Sequence, residues 1–374
     1  MNTSTTDRPV TMRTVAQAAG VNGSTVSRAL RGAPGASAAV AARIREIARR
    51  LGYRTNPLVA ALTAQVRTYR RAPHAATIAL LDCWPEKRPV WANFDDSLDY
   101  VSGIRDRAAA LGYETERVRL ADLGGALDRL QRFLHTRRMH GLLVLPVPEG
   151  TDLSGLDFSR LACATIDFSL ERPAVLRRAS ANYHHNMWLA LTTLVARGYR
   201  RIGYLTTRIG MQRQDRLGLS AFLAFRTIHP HACVQPCLTD VKRYRQDMAR
   251  WLERERPDAL IASDVELPGD VEATGRRVPE DVACVYFARP PSNPRNLAYL
   301  DENYREIGAQ AVDMIVDAIH RNDFGLPATL VVHFVDGIWR EGSTVRPAAP
   351  AEKEGVDRHA GGVPGTSRSH RAPG

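Results

Sequence analysis

The residues with the clearest chemical potential lie within the first thirty. Thr11, Asn22, Gly23, Ser24, Thr25, Ser27 and Arg28 gather around two short helical patterns. Small hydroxyl side chains approach phosphate oxygens and base edges closely. A guanidinium meets guanine in bidentate fashion or a phosphate singly. The chain has no phosphate loop, no Gly-x-Ser-x-Gly elbow and no dinucleotide fingerprint, so the chemistry is that of binding, with no cofactor and no enzymatic step. His229, His231, Cys233 and Cys237 fall within nine residues and are ligand types that zinc uses. Pro230 and Pro236 interrupt them and the spacing is not that of a finger, so they read as a loop leading into a strand with a buried thiol, and no metal site is expected. His184-His185 reads as the polar start of a helix.

The elements that must position the first group are short. Met12, Val15, Ala16 and Ala19 share one helical face, with Thr11 as N-cap and Gly20 as stop. Val26, Ala29 and Leu30 make a second face, capped by Asn22. Val40, Ile44, Ile47, Ala48 and Leu51 make a third, from Ser37 to Gly52. The first two are joined by Ala19-Gly20-Val21-Asn22, the spacing of a helix-turn-helix, which leaves Ser24, Thr25, Ser27 and Arg28 on the outer side. Asn56-Pro57 opens a fourth short pattern through Leu62, since Asn caps and Pro suits the first helical position. It fades into a basic, linker-like stretch near Pro73.

Charge supports this placement. Residues 1–75 carry twelve arginines against Asp7 and Glu46, a net +10, whereas residues 76–346 balance 35 basic and 35 acidic side chains. A basic segment on a neutral body reads as a polyanion-binding module on a carrier. In that body, short apolar runs (77–81, 141–145, 163–168, 202–205, 259–262, 282–287) alternate with amphipathic helical patterns (99–111, 182–197, 217–226, 247–256, 304–320). This is the texture of parallel sheets covered on both faces. Five cysteines in 374 residues, an odd and sparse set, suggest free thiols in a reducing cytoplasm. The N-terminus lacks an apolar core and no run of 18 apolar residues exists, so neither a secretory signal nor a membrane contact is expected. Residues 1–9 and 347–374 read as disordered.

The stretch from Val10 to Gly32, VTMRTVAQAAGVNGSTVSRALRG, strongly resembles the N-terminus of lactose-repressor-type (LacI/GalR) bacterial transcription regulators. The likeness continues through Arg49–Arg54 and Asn56–Leu62. It runs more loosely into Arg197–Gly203, Ala262-Ser263-Asp264, Val278–Val282, Ile307-Gly308 and Arg340–Thr344. The resemblance implies a helix-turn-helix domain (10–55), then a hinge helix and linker (56–75). An effector-binding and dimerising body (76–346) follows, made of two periplasmic-binding-protein-like α/β subdomains. Subdomain 1 would comprise about 76–181 plus 299–328, and subdomain 2 about 182–298 plus 329–346, with crossings near 182, 298 and 328. It further implies a cytoplasmic, nucleoid-associated homodimer or dimer of dimers on a pseudo-palindromic operator in double-stranded DNA. Leu62 would be the minor-groove wedge. A small-molecule effector would sit between the subdomains.

By the same resemblance Arg216 matches an arginine that holds a sugar hydroxyl or carboxylate, Asp167 a cleft acid, and Ser263 a position often occupied by Asn. Trp84 follows the first strand, where an aromatic ring suits a sugar face. Tyr286-Phe287-Ala288-Arg289 departs from the common Gly-aromatic-Asp-Asp. The cation Arg289 replaces an acid there and tilts the expected effector from a neutral sugar towards an acidic one. The whole is expected to be a ligand-responsive repressor of a carbohydrate-utilisation operon. The alternative is a sugar-binding or sugar-modifying protein with an incidental basic N-terminus.

Overall fold

A computed structural model describes residues 11–31, 37–53, 76–85, 99–263, 266–290, 293 and 295–347. The expectations for 1–9, for Asn56 and Leu62 in the hinge helix, for the linker to residue 75 and for the tail beyond 347 fall outside the described residues. The chain divides into two compact units, Met1–Ala75 and Ala76–Gly374.

The first unit contains helices α1 (Met12–Ala19), α2 (Gly23–Arg31) and α3 (Ala38–Arg50). Thr11 caps α1 by accepting the Thr14 amide, and the Thr14 hydroxyl takes the Thr11 amide in return. Gly20 ends α1 at φ +63°, a left-handed conformation that glycine adopts without a Cβ penalty. Val15, Ala16 and Ala19 from α1, Val26 and Ala29 from α2, and Ile44, Ile47 and Ala48 from α3 form one small core.

The second unit holds two six-stranded sheets. The first contains β1 (Ala76–Asp82), β2 (Tyr113–Arg119), β3 (Gly141–Val144), β4 (Ala162–Ile166), β5 (Arg177–Ala181) and β11 (Val332–Val335), ordered β11-β5-β4-β3-β1-β2 and parallel throughout. The second contains β6 (Ile202–Thr207), β7 (Cys237–Thr239), β8 (Ala259–Ala262), β9 (Ala283–Tyr286), β10 (Ala298–Asp301) and β12 (Ile338–Arg340), ordered β12-β10-β9-β8-β6-β7. Here only the β10–β12 pair is antiparallel. Helices α4 (Asp99–Ala110), α5 (Leu127–Thr136) and α11 (Tyr304–Arg321) belong to the first half. Helices α6 (Tyr183–Ala196), α7 (Arg208–Arg213), α8 (Leu217–Ile228), α9 (Tyr244–Glu255) and α10 (Gly269–Glu272) belong to the second.

The chain passes between the halves at 181–183, 301–304 and 335–338. The third crossing corrects the expected position near 328. Val332–Val335 pairs in register with Arg178–Ala181 and so completes the first sheet rather than the second. Likewise β10 stays with the second sheet, which moves the middle crossing past residue 298. Two of the crossings are tied together. The Gly337 amide donates to Asn186 Oδ1 at 2.8 Å, Asn182 Nδ2 donates to Asp336 at 2.8 Å, and the Asn182 amide donates to the Val335 carbonyl at 2.8 Å.

Glycine sets the closest helix contact. On α4, a Cβ at Gly103 would run into the Arg305 carbonyl, and on α11 a Cβ at Gly308 would meet the Tyr100 carbonyl. Backbone cannot yield as a side-chain tip can, so Gly308→Ala is expected to destabilise the second unit by about 1–3 kcal/mol. Urea unfolding followed by circular dichroism measures this; an unchanged midpoint would show that the two helices can part without cost.

Candidate nucleic-acid interface and ligand cleft

In the first unit, α2 buries Val26 and Ala29 and leaves Thr25, Ser27 and Arg28 half-buried. Asn22 caps this helix. Its Oδ1 accepts the Thr25 amide at 2.8 Å and the Thr25 hydroxyl at 2.7 Å. Gly23 begins the helix and is exposed. Thr11 and Asn22, expected at the interface with DNA, are thus first of all caps that start their helices. Two arginines that the sequence reading left among the general positive charge have defined work. Arg43 donates to the Ala19 carbonyl at 2.6 Å, and Arg45 to the Ala29 carbonyl at 3.2 Å, which satisfies acceptors in the last turns of α1 and α2. Arg49 pairs with Glu46 at 2.7 Å, which holds that carboxyl below its ordinary range. So part of the +10 stitches the three helices together.

In the second unit four of the five expected effector residues follow strand C-terminal ends, the edge at which parallel α/β sheets bind ligands. Trp84 follows β1, Asp167 follows β4, Ser263 follows β8 and Arg289 follows β9. Trp84 is 6% exposed. Its amide donates to Asp82 Oδ1 at 3.0 Å and its indole N–H to the Pro146 carbonyl at 2.7 Å. Asp82 is fully buried and paired with Arg117 at 2.7 Å. Ser263 is buried and Arg289 exposed.

Asp167 has φ +56°, a conformation unfavourable for a residue with a Cβ. Its own amide donates to the Ala179 carbonyl at 3.0 Å, and two further contacts hold it there. The Ser169 amide donates to its carboxylate at 2.6 Å, and Arg178 Nη1 donates to its carbonyl at 2.9 Å. Burial pushes the Asp167 carboxyl above its ordinary range; Arg213, the Ser169 contacts and Arg178 pull it back. Tyr100, packed at a tilt against Tyr304 with ring centroids 4.4 Å apart, is pushed well up by burial, then by Glu302 and Asp167, and stays neutral.

The cation that the structure brings to this acid is Arg213, at the end of α7. Its guanidinium lies 5.8 Å from the centre of the Trp84 ring and donates to the Val147 carbonyl at 2.7 Å. Arg216 begins α8 at φ +63°, has its side chain 64% exposed and pairs with Asp215 at 3.6 Å. The run Arg213-Gln214-Asp215-Arg216 holds two arginines three residues apart. Spacing alone does not tell which one faces inward; the left-handed backbone at Asp215 and Arg216 decides it. Of the histidine–cysteine group, the His229 ring packs on Phe225 at 4.5 Å. Cys233 and Cys237 are buried, with burial pushing their thiols up to about 12 and about 11. Among the described residues no three metal-ligating side chains converge, and no helix is long and apolar enough to cross a membrane.

A three-helix unit with a hydroxyl- and arginine-bearing second helix thus stands in one chain with a unit of two sheets that are parallel but for one strand pair. Residues 11–56 match the family described as bacterial regulatory proteins, lacI family, and residues 191–337 match the periplasmic binding protein-like domain. Residues 11–56 thus carry the lacI-family domain. It is 48% identical over 63 residues to the HTH-type transcriptional regulator GntR of Pseudomonas aeruginosa. That match covers 17% of this chain and 18% of the relative, so the chain aligns with about a fifth of the curated relative's length. Solved structures show the same fold. A lac repressor dimer bound to operator and the anti-inducer ONPF has a TM-score of 0.52 at 18% identity, over 90% of this chain and 99% of that one. A complex of the transcriptional regulator CelR with cellobiose has 0.54 at 18%, over 90% and 100%. A putative lacI-family regulator from Rhizobium etli has 0.54 at 20%, over 73% and 99%.

Asn22→Ala removes the acceptor for the Thr25 amide, so it is expected to cost about 0.5–2 kcal/mol of local stability. Hydrogen exchange of the Thr25 amide should accelerate, while Asn22→Asp, which keeps the acceptor, should leave it nearly unchanged. Equal exchange in Asn22→Ala and the parent would remove the capping role.

Proposed function

We propose that the protein is a ligand-responsive repressor of carbohydrate-utilisation genes that binds a pseudo-palindromic operator as a homodimer. The observation that carries the reading is the pairing, in one chain, of a +10 helix-turn-helix unit with a neutral body whose strand ends gather Trp84, Asp167 and an arginine. Ser24, Thr25, Ser27 and Arg28 enter the major groove, while Thr11, Asn22 and Gly23 bring the helix ends to the phosphates. Asn56 opens the hinge helix, whose Leu62 wedges into the minor groove. Trp84, Asp167, Ser263 and Arg289 bind the effector, with Arg216 at the rim. The effector is a sugar or acidic sugar; the lac repressor and CelR structures, with ONPF and cellobiose, support that class. The site of action is the nucleoid in the cytoplasm.

Arg28→Ala is expected to cost about 1–3 kcal/mol of operator affinity and to relax preference at one base-pair position. Log affinity of the parent should fall with log salt by about 0.9 per phosphate neutralised. Fluorescence anisotropy on an operator series measures both. A chain lacking residues 1–75 that kept tight operator binding would overturn the assignment. Operator release by cellobiose but by no uronic acid or sugar phosphate would remove the acidic-sugar preference alone.

A further inference from the structure

Among the described residues, one short element of the second half reaches across the cleft to the loops of the first. Helix α7 belongs to the second half, directly after β6. Its last residue reaches the loops that follow β1, β3 and β4 of the first half. The Arg213 side chain donates to the Val147 carbonyl at 2.7 Å and lies over the Trp84 indole at 5.8 Å. The Arg213 carbonyl in turn accepts the Phe168 amide at 3.4 Å, next to Asp167. The neighbouring Gln212 amide group contacts Glu171 across the same gap. So one residue crosses the cleft with both its backbone and its side chain, and what it meets is an acceptor, an aromatic face and the vicinity of a carboxylate. Those are the groups that a polyhydroxy ligand would use.

We propose that Arg213 is a latch that occupies the cleft in place of the effector and holds the two halves together when the effector is absent. The guanidinium suits this work physically. It is planar, so it can lie over an indole, and it carries forked donors for a carbonyl and a carboxylate at once. In the partly desolvated gap its attraction to Asp167 is larger than the same pair would have in water. A ligand that takes Trp84 and Asp167 must first displace Arg213. Effector binding is then coupled to rearrangement of α7 because both need the same acceptors. That coupling is a difference in contacts between two states, as a population shift requires. The consequence for the effector rests on the cleft reading given above; the latch itself does not.

The test therefore uses no effector. In the full chain, Arg132→Cys on α5 and Glu253→Cys on α9 place spin labels on exposed positions of the two halves. Four native cysteines are buried, and the half-buried Cys83 is replaced by Ser in every labelled protein, so labelling is confined to the new sites. Double electron–electron resonance, with unlabelled protein in excess, reads the separation. The parent is expected to give one narrow, short distance. Arg213→Ala is expected to lose it in favour of a longer, broader distribution. Millimolar methylguanidinium, which refills the slot, should restore the short distance, and neutral methylurea should not. Asp167→Asn, which leaves the arginine but removes its counter-charge, should open the cleft in the same direction. An unchanged distribution in Arg213→Ala overturns the latch and leaves the effector cleft standing, because operator release by sugars is measured separately. Equal rescue by methylguanidinium and methylurea overturns the electrostatic basis of the latch.

Discussion

The cleft depends on a guanidinium that no effector would touch. Arg178, on β5, is 4% exposed and donates to the carbonyls of Asp167 at 2.9 Å and Leu170 at 2.7 Å, with its cationic carbon 5.5 Å from the centre of the Phe168 ring. Burial pushes its own ionisation down, and the Asp167 and Asp215 charges push it back up. A buried cation is costly unless every donor finds an acceptor. Here the acceptors are the carbonyls of the loop after β4. The loop has no regular structure to occupy those carbonyls, and the arginine has no solvent, so each satisfies the other. Asp167 can then persist at positive φ with Arg213 of the second half as the cation facing its carboxylate.

The same device recurs at smaller scale in the first unit. Arg43 and Arg45 place guanidinium donors on carbonyls that α1 and α2 leave unpaired at their ends. Short helices of eight and nine residues are marginal alone. Side chains of Thr11, Asn22 and Ser37 at the starts and arginines at the ends supply what length does not. The basic character of the unit is therefore partly structural, and the outer face of α2 carries its share for a different purpose.

Much of this was legible in the sequence because it rests on periodicity and caps. Thr11, Gly20, Asn22 and Ser37 marked their helix ends, and the apolar runs marked β1, β3, β4, β6, β8 and β9. What escaped notice was made by tertiary partners. Strand β5 reads Arg-Arg-Ala-Ser-Ala, which no hydrophobicity pattern would bury; it is buried because Arg177 meets Asp323 at 2.6 Å and Arg178 meets loop carbonyls. Strand β2 is charged because it is an edge. The third crossing was misplaced because β11 declares itself only by pairing with β5, a strand that was itself hidden. In the cleft, Trp84 and Asp167 could be found from their positions after strands. The choice between Arg213 and Arg216 lies in backbone torsions, which side-chain identity does not encode.

The tie between Gly337 and Asn186 has a mechanical meaning. Asn186 is 1% exposed and sits in the first turns of α6, immediately after the first crossing, and it grips the third crossing by its backbone. The middle connection joins them as well: Asp301 pairs with Ile338 in the β10–β12 ladder and accepts from Arg340 at 2.9 Å, so the three connections are fastened side by side. A pair of plates joined at three independent points could shear, twist or fold. With all three fastened edge to edge, the strip they form is the natural pivot. The body then behaves as a book on one spine, and its remaining freedom is to swing.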